Sequence, residues 1–276
     1  MHLPAALLGE LEHACGGQLS FVVREMVSGE EVVSRPDRLV PTASVYKLYV
    51  LLHVACAAEE GTLNWDMPLT LTTAHQSPGT GVLGAMTPGL TLSVRDACFL
   101  MTAVSDNTAT NMLLSQVGIG AVNDRLRSFG LNHTALSPQP RTPDAPRRPL
   151  ATGHTTPRET ANLLAQLLHP TWLPLPAARE VRTFLAAQQD RSMIGRRCPP
   201  GWSYAGKTGV EADLRADVGT LTAPDGREFV LALFCHGLPV PPAGPDWGVD
   251  HPGTLALAEL ARQAVSHESA RFGNRA

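Results

Sequence analysis

The 276-residue sequence predicts an α+β protein. An antiparallel sheet formed by both chain ends and flanked by helices is expected, with an all-helical part inserted between them. Three observations lead there. Strand-like, β-branched stretches fall towards the two ends, at "QLSFVVREM" (18–26), "EEVVSRP" (30–36), "WSYAGKTGV" (202–210), "DVGTLTAP" (217–224) and "EFVLALFC" (228–235). The middle reads as helix after helix, at 44–59, 93–103, 106–117, 119–129, 157–168 and 176–188. Two more helical patterns, 4–14 and 253–268, flank the terminal strands. The expected division is therefore 1–42 with 190–276 for the sheet, and 43–189 for the helices.

Local signals support each element. Ser28-Gly29 and Pro224-Asp225-Gly226 carry turn chemistry, so the strands around them should form hairpins. Ser93 precedes "VRDA" as a helix start. Thr156-Pro157-Arg158-Glu159 combines an N-cap, a proline at the first helical position and a capping-box glutamate. Positions 45 and 48–52 are apolar all round, which predicts a core helix. The stretch 136–154, "LSPQPRTPDAPRRPLATGH", is proline-rich and too long for a simple connector; such loops in compact domains are usually functional or disordered. No internal repeat is visible.

A net charge of −3 argues against a nucleic-acid partner. The short clusters Arg147-Arg148 and Arg196-Arg197 read as solvated loops. The five cysteines are widely spaced, with no C-x-x-C pair, and read as buried free thiols. Ten histidines show no H-x-x-x-H spacing, so neither a metal nor another cofactor is expected. The N-terminal stretch has no basic region leading into a long apolar run, and no segment approaches transmembrane length. The expectation is a monomer without membrane contact, cytoplasmic as written because nothing in the sequence exports it.

Arginine supplies every positive charge except two, Lys47 and Lys207. Lys47 sits inside the apolar helix, three residues after Ser44, on the same face. A buried ammonium is costly unless paired, and a lysine beside a serine can serve as the base that makes the hydroxyl nucleophilic. S-x-x-K is weak alone: a lysine snorkelling to water next to an N-cap serine would look the same. In "AVSDNTATNML", Ser105, Asp106 and Asn107 stand at a helix start, where a cap is the plain reading. Functionally, Ser105 offers a hydroxyl for proton relay and Asn107 an amide that can grip a substrate amide. Lys207-Thr208-Gly209, on a strand, could guard a sheet edge or bind a carboxylate, with the glycine letting a ligand approach.

S-x-x-K, S-D-N and K-T-G, in that order on helix, helix start and strand, resemble the signature of penicillin-recognising serine hydrolases, among them class A β-lactamases and penicillin-binding proteins. The spacing looks like class A. So do the glycine-rich segment leading into S-D-N and "LRADVG" after K-T-G, and the resemblance covers 5–268. It implies that Ser44 is acylated, that Lys47 is base or proton relay, and that Ser105 passes a proton towards the leaving nitrogen. It implies that Asn107 holds the acyl-amide, and that Lys207 and Thr208 bind a carboxylate of a small-molecule β-lactam or related amide or ester. The main-chain N–H groups of Ser44 and of Val210, after Gly209, would form the oxyanion hole. Arg215 aligns with a strand arginine that supplements this charge in some members. Relatives are often periplasmic or secreted.

One departure concerns deacylation. The family's long loop carries Glu-x-x-Leu-Asn, whose glutamate activates water. Here Pro140 stands at that place when counted back from "TTPRET", or Arg141 when counted forward from S-D-N. Asp144 falls where the water-holding asparagine would be, either as a substitute base or as a plain loop aspartate. Glu159, the nearest downstream glutamate, is already accounted for by its capping box. Three readings remain open: a hydrolase, a penicillin-binding sensor that stays acylated, and a D-alanyl-D-alanine peptidase or esterase on the same scaffold. A disulfide between the two central helices, present in some relatives, is not supported, because the position facing Cys98 is Leu51.

Overall fold

The structure, a computed structural model, describes residues 3–139, 149 and 151–272, without the side chains of Ala5 and of 267–272. In chain order its elements begin with α1 (Ala5–Cys15), β1 (Gln18–Glu25), β2 (Glu31–Ser34), β3 (Val40–Pro41), α2 (Tyr46–Glu59), β4 (Pro68–Thr70) and β5 (Thr91–Ser93). There follow α3 (Val94–Ala103), α4 (Asn107–Val117), α5 (Ile119–Ser128), β6 (Ala135–Pro138), β7 (Ala151–Thr155), α6 (Pro157–Leu168) and α7 (Leu175–Ala186). The last are β8 (Ser203–Glu211), β9 (Leu214–Thr222), β10 (Glu228–His236) and α8 (Pro252–Phe272). The chain divides into two compact units, one of Met1–Ala43, Thr155–Ala165 and Asp190–Ala276, the other of Ser44–His154 and Gln166–Gln189.

The first unit is built on a sheet of order β2-β1-β10-β9-β8, antiparallel throughout. The two chain ends meet at its centre, where Phe21 lies opposite Leu233 and Val23 opposite Leu231. The alternation of β1 and β10 turns Leu19, Phe21, Val23, Leu231, Leu233 and Cys235 into one core. Leu257, Leu260, Ala261 and Ala264 of α8 complete it. Both expected hairpins form: residues 26–30 join β1 to β2, and 223–227 join β9 to β10.

The second unit is organised around α2, buried from Tyr46 to Ala57, which packs against α3, α4, α5 and α7. Its lack of a polar face is why it lies at the centre of a bundle. Helix α3 starts at a capping box, with Ser93 Oγ accepting from the Asp96 N–H at 3.0 Å.

Two expectations need correction. The inserted part is not all-helical: β4 pairs with β5, and β6 with β7. These ladders are too short to show an alternating pattern in sequence. The second ladder sets Pro138 opposite Ala151, so the ends of the proline-rich loop are held side by side. The stretch Thr155–Ala165, expected among the helices, belongs to the sheet unit. Polar contacts tie it there. The Arg158 N–H donates to Pro36 O at 2.9 Å, its guanidinium pairs with Asp37 and Glu31, and Arg24 donates to Asn162 Oδ1 at 2.9 Å. Thr156 caps α6 as expected, accepting from the Glu159 N–H at 3.2 Å.

Leu231 is fully buried at the middle of the sheet. Leu231→Ala should cost about 3 kcal/mol, read as a lower urea midpoint with an unchanged slope.

Candidate active site

The second unit carries Ser44, Lys47, Ser105 and Asn107. Ser44 lies in a 3-10 turn, Ala43–Val45, that leads directly into α2. Ala43, just before it, has φ of 43°, a left-handed conformation that costs a non-glycine residue energy and persists only where the surrounding structure holds it. Lys47 follows in the first turn of α2, 1 % exposed. Its Nζ donates to Asn107 Oδ1 at 2.7 Å, to Ser105 Oγ at 3.0 Å and to Ser105 O at 2.6 Å. The snorkelling alternative is thereby set aside: the lysine is turned inward onto the S-D-N segment.

That segment is held by its aspartate. Asp106 is fully buried as the N-cap of α4, its Oδ1 accepting from the Thr108 and Ala109 N–H groups at 2.8 and 2.9 Å. Its Oδ2 accepts from Val82 N–H at 2.6 Å and Leu83 N–H at 2.9 Å. One carboxylate thus joins the glycine-rich stretch to the helix start. Gly81 passes so close that a Cβ there would fall 2.3 Å from Asp106 Cγ. Thr80 Oγ1 donates to Ser105 O at 2.7 Å, and Asn107 Nδ2 donates to Pro78 O at 2.9 Å. Ser105 itself has φ of 56°. Different residues of the same tripeptide do different things here: the aspartate caps α4, while the serine and asparagine meet Lys47.

The first unit carries Lys207, Thr208, Gly209 and Val210 in β8, and Arg215 in β9. Lys207 is fully buried, and its Nζ donates to Thr208 O at 2.8 Å. Burial brings its ammonium down to about 8, against the opposing pull of the Asp190 and Asp217 charges. Asp217, opposite Thr208 in the ladder, accepts from Tyr204 Oη at 2.6 Å and from Ile194 N–H at 2.8 Å. Burial raises its carboxyl to about 7, with those hydrogen bonds pulling the other way. Asp190 and Asp217 were not singled out in sequence. The available signal was a carboxylate inside an otherwise apolar central strand, which must be paired or hydrogen-bonded.

Arg215 is placed differently from the family expectation. It is 1 % exposed, and its guanidinium donates to the main-chain oxygens of Glu211 (2.6 Å), Leu214 (2.9 Å) and Asp246. It is turned into loop backbone. Asp144, with Pro140 and Arg141, lies outside the described residues. Among the described residues no cluster of histidine, cysteine, aspartate or glutamate is arranged to hold a metal ion. Among them, too, no helix is long and apolar enough to cross a membrane.

With this geometry in view, similarity to known proteins settles the family. The family model described as the β-lactamase enzyme family matches residues 5–267, and the chain belongs to that family. A relative of known name is the β-lactamase regulatory protein BlaB of Streptomyces cacaoi, 26% identical, spanning 94% of this chain and 96% of that one. Among solved structures, a β-lactamase from Sphaerobacter thermophilus is 29% identical, with a TM-score of 0.83 over 96% of this chain and 97% of its own. PBP-A shares the fold at 20% identity, with a TM-score of 0.81 over 98% of this chain and 100% of its own.

Asp106→Ala would remove the cap of α4 and leave the Val82 and Leu83 amides without their acceptor. A stability loss of about 2 kcal/mol or more is expected, larger than a cap alone provides, measured by urea unfolding.

Proposed function

We propose that the chain is a serine hydrolase that forms an acyl-enzyme at Ser44 with β-lactams or related amides and esters. The observation that carries this reading is the buried Lys47 ammonium, bonded to Ser105 Oγ and Asn107 Oδ1 one helical turn after Ser44. Ser44 Oγ attacks the carbonyl carbon of the substrate amide while Lys47, acting in its neutral amine form, takes the serine proton and hands one on to Ser105 Oγ, 3.0 Å away. The C–N bond breaks as Ser105 passes a proton to the departing nitrogen. Asn107 positions the acyl-amide, the N–H groups of Ser44 and Val210 hold the oxyanion, and Lys207 with Thr208 receives the carboxylate. Water then cleaves the ester, with Asp144 as the candidate base. Arg215 serves as a clamp on the 211–246 backbone.

A second reading has its own support. The loop lacks the family's glutamate, and one relative bears the name of a β-lactamase regulatory protein. On that reading the chain is acylated and stays so, as a sensor. A chromogenic cephalosporin followed by intact mass separates the two. Steady colour with unmodified protein supports the hydrolase, and one equivalent of colour with a lasting adduct supports the sensor. Neither colour nor adduct excludes β-lactams as ligands. Ser44→Ala should abolish all labelling, and Lys47→Ala should slow acylation by about 100-fold or more while leaving the fold intact.

The carboxylate site sets a pH dependence. Lys207 is depressed to about 8, and the charged form is the one that binds, so acylation efficiency on a carboxylate-bearing β-lactam is full below that pH and falls as pH rises through it. Asp190→Asn removes the charge with the stronger pull in favour of the ammonium and should move this limb to lower pH. A limb that does not move would show that Asp190 leaves Lys207 unaffected.

A further inference from the structure

Two of the five cysteines are brought together although 220 residues separate them. Cys15 is the last residue of α1, and Cys235 lies near the end of β10. Their Sγ atoms are 3.6 Å apart and hydrogen-bonded, in a core where the two residues are 4 % and 0 % exposed. The other thiols are placed differently. Cys56 and Cys98 are buried in the second unit, and Cys198 Sγ faces the Trp202 carbonyl.

We infer that Cys15 and Cys235 are a disulfide-forming pair, which a small-molecule disulfide such as oxidised glutathione converts into a covalent tie between α1 and β10. A disulfide requires sulfurs about 2.05 Å apart, so closure asks for an approach of roughly 1.5 Å. The place where that movement falls is favourable. Cys15 ends its helix and is followed by Gly16, in a left-handed conformation at φ of 70°, and by Gly17. Gly17 runs so close that a Cβ there would stand 3.3 Å from Cys235 Sγ and 2.8 Å from Leu238 Cδ2. The two glycines carry the chain from the end of α1 close past Cys235, while Glu12 anchors the preceding turn through Leu19 N–H at 2.8 Å and Arg35 at 2.6 Å.

The chemistry is ordinary exchange. Cys15 gives up its proton, and its thiolate attacks one sulfur of oxidised glutathione, expelling one glutathione thiolate and leaving a mixed disulfide. Cys235 gives up its proton in turn and attacks Cys15 Sγ, expelling the second glutathione. The protein loses two electrons and two protons, and one glutathione disulfide becomes two thiols. The geometry favours Cys15 for the first attack: it ends its helix beside two glycines, and its hydrogen bond with Cys235 lowers its thiol while raising that of Cys235. The tie would close a loop spanning nearly the whole chain, constraining the unfolded state more than a short loop could.

The test refolds the full-length chain in a buffer of oxidised and reduced glutathione, with intact mass and peptide mapping as readouts. The expected product has lost two hydrogens, with the bond mapped to Cys15 and Cys235. Its thermal midpoint should stand several degrees above that of the reduced chain. Cys235→Ser should instead carry one glutathione on Cys15, and Cys15→Ser should show neither product. Should either variant fail to fold, the wild-type mass and map still decide. A wild-type chain that keeps five thiols, retains glutathione, or bonds any other pair overturns the inference.

Discussion

A lysine can be buried at the start of a core helix only where oxygens replace the water it has lost, and the second unit is arranged around meeting that need. Three acceptors, Ser105 O, Ser105 Oγ and Asn107 Oδ1, converge on Lys47 Nζ. They can do so because the turn before α4 is held in a left-handed bend at Ser105. That bend is in turn supported by Asp106, whose two carboxylate oxygens take four main-chain amides from the helix start and the glycine-rich stretch. Unpaired, the ammonium would cost several kcal/mol. The same contacts that stabilise it leave a lysine, a serine hydroxyl and an amide in one hydrogen-bonded group, a turn away from Ser44.

The sheet unit treats its lysine differently. Its Nζ donates to the Thr208 carbonyl, and the Asp190 and Asp217 charges oppose the effect of burial. Asp217 is itself restrained by Tyr204 and the Ile194 amide, which pins the 190–197 segment to β9. Burial competes with these charges and keeps the ammonium only marginally favoured near neutral pH.

Membership of the β-lactamase enzyme family does not by itself decide between turnover and durable acylation. The sequence departs from the family pattern in one loop, where proline or arginine stands at the place of the expected glutamate. The loop's anchoring is nonetheless well defined. The β6–β7 ladder sets its two ends side by side, and Asn123 bonds both the N–H and the carbonyl of Leu136 at 2.8 Å.

Most of the architecture was legible in the sequence, because periodicity, caps and turn residues are local properties. The core helix around Lys47 came from its apolar pattern and the paired hairpins from their turn residues, while the three motifs came from resemblance to a family signature. What escaped were features set by contacts between distant residues. The ladders of three and four residue pairs are stabilised by partners rather than by pattern. The transfer of Thr155–Ala165 to the sheet unit comes from bonds to Pro36, Asp37 and Glu31. Arg215 illustrates the limit: motif alignment assigns it to substrate, whereas packing turns it onto backbone carbonyls. The sequence by itself determined which groups are available and on which kind of element each one sits. Only tertiary structure decided which of them meet, as with Cys15 and Cys235, because contact depends on the folded path of the chain between them.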